Sequence, residues 1–152
     1  MLYDWLLVIH ILAAILWIGG GVMLHLIFVR TRSAGDASTM ARLLTNGEWL
    51  GKAFFGPISG VLLLAGIALV LKGPWQFNMV WVILGLVGFA ASGLLGAVFL
   101  QTPATQLQSV LAEKGFDDPQ VKALSDRVFL LSRIDFAILV LVVIDMTIKP
   151  WL

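Results

Sequence analysis

From Trp5 to Val29 the chain runs WLLVIHILAAILWIGGGVMLHLIFV, about 25 residues without a formal charge, interrupted only by two histidines and three glycines. A run of that length has one stable solution. It forms a helix that crosses a bilayer, because roughly 20 helical residues span the hydrocarbon core and only a structure that satisfies its own backbone survives there. The run does not read as a secretion leader. Asp4 stands where such a leader carries basic residues, and the apolar stretch exceeds the roughly 7–15 residues of a leader core. It is read as a retained span.

Three further windows have the same character, Ala53 to Leu71, Met79 to Leu100 and Val128 to Ile148. The last carries Arg133, Asp135 and Asp145 around a strongly apolar centre, FAILVLVVI, and Lys149 with Pro150 closes it as a helix end should. The chain of 152 residues, 60% hydrophobic and 12% charged with a mean hydropathy of +0.99, is thus one integral membrane domain over residues 1–152. The expected fold is all-α, an antiparallel bundle of four membrane-spanning helices. The absence of cysteine excludes disulfides, thiolate metal sites and iron–sulfur clusters. No basic helix face points to nucleic acid.

Lys and Arg in the short connections set the orientation. Arg30, Arg32, Arg42 and Lys52 lie in the first connection, and Lys114, Lys122 and Arg127 lie in the third, with Arg133 just inside the next helix. The second has only Lys72, and the tails only Lys149. Both termini are expected on the outer side of the membrane, with the first and third connections in the cytoplasm. Tyr3, Trp5, Trp75, Phe77, Trp81 and Trp151 would then form one outer aromatic belt, and Trp49, Phe54 and Phe55 an inner one.

Within the first connection, Asp36 can cap a short helix from Ala37 to Leu44 that Asn46 and Gly47 end. In the third, Ala104 to Lys114 continues the preceding helix as far as Gly115, and Asp118 with Pro119 starts the last helix early. A helix from Pro119 to Lys149 would be about 45 Å long, so the third and fourth helices are expected to extend into the cytoplasm as a hairpin. Gly56 with Gly60, and Gly88 with Ser92 and Gly96, are small-residue ladders suited to close helix contact or to a homodimer.

His10, Ala14, Trp17, Gly21 and His25 follow at steps of four, three, four and four, so they share one broad stripe of the first helix that should face the bundle. Gly21 beside Trp17 leaves room for another helix or a planar ligand. The two histidines lie about 22 Å apart along the axis and cannot share one metal. In an antiparallel arrangement Asp145 falls near the depth of His10 and Asp135 nearer His25, which predicts one His–Asp contact. A carboxylate holding Nδ1–H would leave Nε2 for a metal or a proton. An Asp at mid-bilayer costs roughly 2.5–3.5 kcal/mol, which demands a reason. Simpler readings stand beside these. Asp145 precedes Lys149 by four and can pair with it, Arg133 can snorkel to the surface, and His25 is one turn from Arg30 at the interface.

Two resemblances add to this. The opening LYDWLLVIHILAAILWIGGG, the segments GDASTMARLL and EWLGKAFFGP, the loop DDPQVKAL and the close DMTIKP together resemble a bacterial family of predicted four-helix integral membrane proteins known only as a domain of unknown function. The first helix alone, with His10, Trp17 seven residues on and then paired glycines, is similar to HemJ-type protoporphyrinogen oxidases and, more loosely, to copper-resistance D membrane proteins. In the HemJ-type family the first-helix histidine binds haem, which implies His10 as an axial ligand of haem b. That family also needs a lysine on a later membrane helix. Here the third helix has neither Lys nor His, so the resemblance implies haem ligation rather than protoporphyrinogen oxidation. Met146, Met79 or the His10 of a symmetry mate would supply the second ligand.

The expected function is therefore an inner-membrane protein with haem b on His10 as its metal ligand and Trp17, Gly21 and His25 about it, serving electron transfer, haem handling or redox sensing. Asp135, Asp145 and Arg133 are candidate relay or supporting groups. A membrane redox partner and the lipid bilayer are the expected partners. The alternatives are a small proton-coupled transporter and an assembly protein without cofactor.

Overall fold

The computed structural model describes residues 1–149. Pro150, expected to close the last helix, and Trp151, assigned to the outer belt, lie outside the described residues. Every regular element among the described residues is helical: α1 (Leu2–Ala34), α2 (Ala37–Leu50), α3 (Gly56–Lys72), α4 (Val80–Leu94), α5 (Gln101–Lys114) and α6 (Pro119–Ile148). Two wider, π-helical stretches, Gly51–Phe55 and Leu95–Leu100, join α2 to α3 and α4 to α5 without a break. The result is four rods. Three of them, Leu2–Ala34, Ala37–Lys72 and Val80–Lys114, are long and apolar enough to cross a membrane. The fourth, α6, has 30 residues but carries Arg133, Asp135 and Asp145 within its length.

The rod ends follow local chemistry. Gly35 terminates α1 in the left-handed conformation at φ 66°, which costs glycine little. Asp36 then caps α2, its carboxylate accepting from the backbone N–H of Ser38 and Thr39. Gly115 at φ 79° ends α5, and Asp118 caps α6 through the N–H of Gln120, with Pro119 at the first helical position as expected. One expectation fails here. The helix begun at Ala37 does not stop at Asn46 and Gly47 but runs on into α3. A helical glycine costs only about 1 kcal/mol against alanine, and Met40 and Leu44 bury one α2 face with Leu107 and Leu111, which offsets that cost.

Contacts between rods come in ordered series. Tyr3 meets Gly73 and Trp75, His10 meets Leu62 and Gly66, and Gly20 meets Phe54 and Phe55, so α1 runs opposite to the α2–α3 rod. Gly85 meets Met146, Gly88 meets Val142 and Ser92 meets Asp135, which sets α4 opposite to α6. His25 meets Ser132 and Arg32 pairs with Asp126 between α1 and α6.

The best-buried cluster lies at the arginine-rich end, where Phe28, Met40, Leu44, Leu107, Leu111, Val121 and Val128 close together. The α5–α6 hairpin therefore does not stand alone. It is clasped by α2 and the end of α1. Elsewhere the rods present apolar side chains outward, Leu12, Ile15, Leu64, Leu71, Val87 and Leu141 among them.

The small-residue ladders are only partly used. A Cβ on Gly88 would overlap Val142, and Ser92 is buried, but Gly60 and Gly96 face open space and Gly56 faces only the Gly51 carbonyl. Gly96 stands inside the Leu95–Leu100 stretch, where a wider turn carries the chain off the stripe that Gly88 and Ser92 begin. Gly56 and Gly60 share an exposed face of α3.

Candidate functional site

α1 turns its three largest stripe residues toward three different rods. His10 faces α3. Its Nδ1 lies 3.0 Å from the Leu62 carbonyl oxygen, and because a carbonyl only accepts, Nδ1 carries the proton and donates. Nε2 is left with its lone pair and makes no hydrogen bond to another described residue. The close fit depends on Gly66, where a Cβ would come within 3.0 Å of His10 Cε1. Trp17 reaches α4 and packs on Phe89 with ring centroids 5.1 Å apart. Gly21 faces open space, whereas its neighbour Gly20 receives Phe54 and Phe55.

His25 faces α6. It stacks on Phe129 at 5.3 Å, and its Nδ1 lies 2.8 Å from Ser132 Oγ. The Ser132 hydroxyl donates to the Phe129 carbonyl, so the imidazole must donate to it in turn. Both histidines thus share one tautomer. Arg32 and Arg133 flank the same Phe129 ring at 5.7 and 5.4 Å, and Arg32 also pairs with Asp126. Arg133 is exposed, consistent with snorkelling.

The expected His–Asp contact does not form. Asp135 accepts from Ser92 Oγ on α4 at 2.5 Å, and both oxygens of Asp145 are buried without a hydrogen-bond partner. The reason is azimuth. Phe129, Ser132 and Arg133 occupy the side of α6 toward α1, while Asp135, Val142 and Met146 occupy the side toward α4. Nor does Asp145 pair with Lys149. The Lys149 ammonium lies 4.3 Å from the Trp75 ring centroid and 5.3 Å from that of Trp81, held by the indole faces. Trp75 donates through Nε1 to Tyr3 Oη at 3.0 Å, so Tyr3, Trp75 and Trp81 do gather at one end of the molecule. Trp81 Nε1, like the Asp145 oxygens, is buried and unpartnered.

Sequence reasoning missed Gly66, Ser92, Phe129 and Ser132. Ser92 stood in a small-residue ladder and Phe129 one turn from Arg133, but nothing in their spacing showed which histidine or carboxylate each would meet. No cluster of three or more His, Asp and Glu side chains suited to a metal occurs among the described residues.

No curated protein and no solved structure matches the chain. A family model does, over residues 4–150, nearly the whole length. With its uncharged 25-residue first run and three rods suited to a bilayer, the chain belongs to the family described as predicted integral membrane protein (DUF2269).

Proposed function

We propose that this is a bacterial inner-membrane protein, an antiparallel bundle of four spans with both termini outside, that binds b-type haem through His10 and serves electron transfer, haem handling or redox sensing. One observation carries the reading. A metal-bound histidine almost always donates its other ring N–H to a carbonyl or carboxylate, and Leu62 supplies that acceptor to His10 from a neighbouring rod. His10 would hold the haem through Nε2, with Gly66 seating the ring and Leu62 fixing its tautomer. Met146, Met79 or the His10 of a second copy would supply any second ligand. Haem supplies one-electron chemistry when bound; the chain supplies the imidazole, its orientation and an apolar surround.

The topology proposal rests on rod lengths and charge. At 1.5 Å per residue the four rods measure about 45 to 54 Å, against a hydrocarbon core of about 30 Å. The excess gathers at the end bearing Arg30, Arg32, Arg42, Lys114, Lys122 and Arg127, where burial is deepest. That is the distribution a cytoplasmic head produces, since water drives apolar burial and lipid does not.

The test is an absorption spectrum of detergent-purified protein made with ample haem, oxidised and dithionite-reduced, beside His10→Ala. Soret and reduced α bands that vanish in the variant are the expected result. A featureless wild type, or bands that persist in the variant, would sink the haem reading.

The α4–α6 seam favours a second reading as a proton-coupled carrier, because it holds two carboxyl groups, Asp135 on Ser92 and the unpartnered Asp145. In proteoliposomes Asp135→Asn should then abolish a pH-dependent flux that wild type supports. Equal flux in both would rule this reading out.

A further inference from the structure

Where α1 ends and α2 begins, the chain leaves a cleft of about 420 Å³ lined by Ile27, Arg30, Thr31, Ala34, Asp36 and Thr39. Its size falls within the range of about 300–1,000 Å³ common to small-ligand sites. We propose that this cleft binds the headgroup of an ethanolamine phospholipid, its phosphate on Arg30 and its ammonium on Asp36. The proposal stands apart from the haem reading and needs only that the chain lie in a bilayer.

Three features of the cleft support it. The first is depth. Ile27, Phe28 and Val29 end the uncharged run of α1 and Arg30 is the first charge after it, so the cleft straddles the level at which a phospholipid passes from acyl chain to phosphate. Ile27 offers the apolar rim on the chain side.

The second is the state of the two charges. Arg30 is exposed and forms no ion pair among the described residues, and its planar guanidinium suits bidentate contact with a phosphate. Asp36 Oδ1 is saturated by the Ser38 and Thr39 N–H groups and the Ser38 hydroxyl, whereas Oδ2 accepts only from Thr39 Oγ1. A carboxylate oxygen has two acceptor positions, so Oδ2 keeps one for an outside donor. These hydrogen bonds, that of the Thr39 hydroxyl foremost, hold the Asp36 carboxyl down at about 2, so it is an anion at any physiological pH.

The third is selectivity. A fixed anion beside the arginine disfavours a headgroup whose only charge is negative, and a choline group has no N–H to donate to Oδ2. An ethanolamine ammonium has three. Charge and hydrogen bonding together therefore select the zwitterionic headgroup with donors.

Full-length protein purified in detergent would be incubated with an equimolar mixture of phosphatidylethanolamine, phosphatidylglycerol and phosphatidylcholine, and the retained lipid counted by native mass spectrometry. Wild type should retain the ethanolamine lipid preferentially. Arg30→Gln should lower that retention about tenfold, the effect of one charge-assisted hydrogen bond. Asp36→Asn keeps an oxygen for the helix cap while removing the charge, and should shift preference toward phosphatidylglycerol. Arg42→Gln, on α2 but outside the cleft, should change nothing. Equal retention of the three lipids by wild type, a wild-type preference for phosphatidylglycerol, or an ethanolamine preference that survives Asp36→Asn would each overturn the proposal. Because the wild-type competition needs no variant, misfolding of a mutant would leave the test intact.

Discussion

Two glycines one turn apart on α4 show how a single residue decides this fold. Gly85 faces the terminal methyl of Met146, and Gly88 faces Val142 Cγ2. Met146 can swing aside on three rotatable bonds, whereas Val142 branches at Cβ and has one strongly preferred rotamer in a helix. Alanine raises helix propensity by about 1 kcal/mol at either position, and overpacking a stiff neighbour costs about 1–3 kcal/mol. Gly88→Ala should therefore lower the thermal midpoint in detergent, and Gly85→Ala should leave it unchanged or raise it. The reverse order would mean that α4 and α6 do not meet along this seam. The same scale governs the candidate site. His10 could be picked out in the sequence as an ionisable group in an apolar run, but its partner could not. Leu62 contributes a carbonyl oxygen, which every residue possesses, and Gly66 contributes only the lack of a side chain.

At the scale of elements, caps were legible and continuations were not. Asp36, Gly115, Asp118 and Pro119 act through their nearest neighbours in the chain, so residue type is enough to assign them. Asn46 with Gly47 reads as a stop for the helix begun at Ala37, yet that helix runs on, because Met40 and Leu44 anchor α2 on α5. The Asp36 cap gives a pH prediction. Its carboxyl is lowered from the ordinary 3.8 to about 2 by hydrogen bonds from Thr39 and Ser38, so the folded state binds the proton less readily than the unfolded one. The contribution to helix stability is then fully present above about pH 4 and is lost as pH falls through about 2. The amide proton shifts of Ser38 and Thr39, followed by nuclear magnetic resonance, should move with a midpoint near 2 in wild type. In Asp36→Ala that transition should be absent. A midpoint near 4 in wild type would show that the cap does not hold the carboxylate.

For the whole molecule, the contrast is between sums and directions. Membrane character, helical class and the approximate limits of three spans follow from composition over consecutive residues, a quantity that adds along the chain whatever the neighbours are. So the sequence by itself determined that this chain is a helical integral membrane protein and where most of its helices begin. Which faces meet was decided only in three dimensions. The π-helical stretch Leu95–Leu100 breaks the stripe of Gly88 and Ser92 at Gly96, and Gly56 with Gly60 lies on an exposed face of α3, so neither makes the contact its spacing promised. In the same way α6 shows Ser132 to His25 and Asp135 to Ser92, dividing between two neighbours the polar groups that a linear reading had paired as histidine with aspartate. The physical reason is that hydrophobicity depends on how many apolar residues are consecutive, while a hydrogen bond depends on azimuth and register. Those were set by tertiary packing, through the fit of Val142 over Gly88 and of His10 over Gly66.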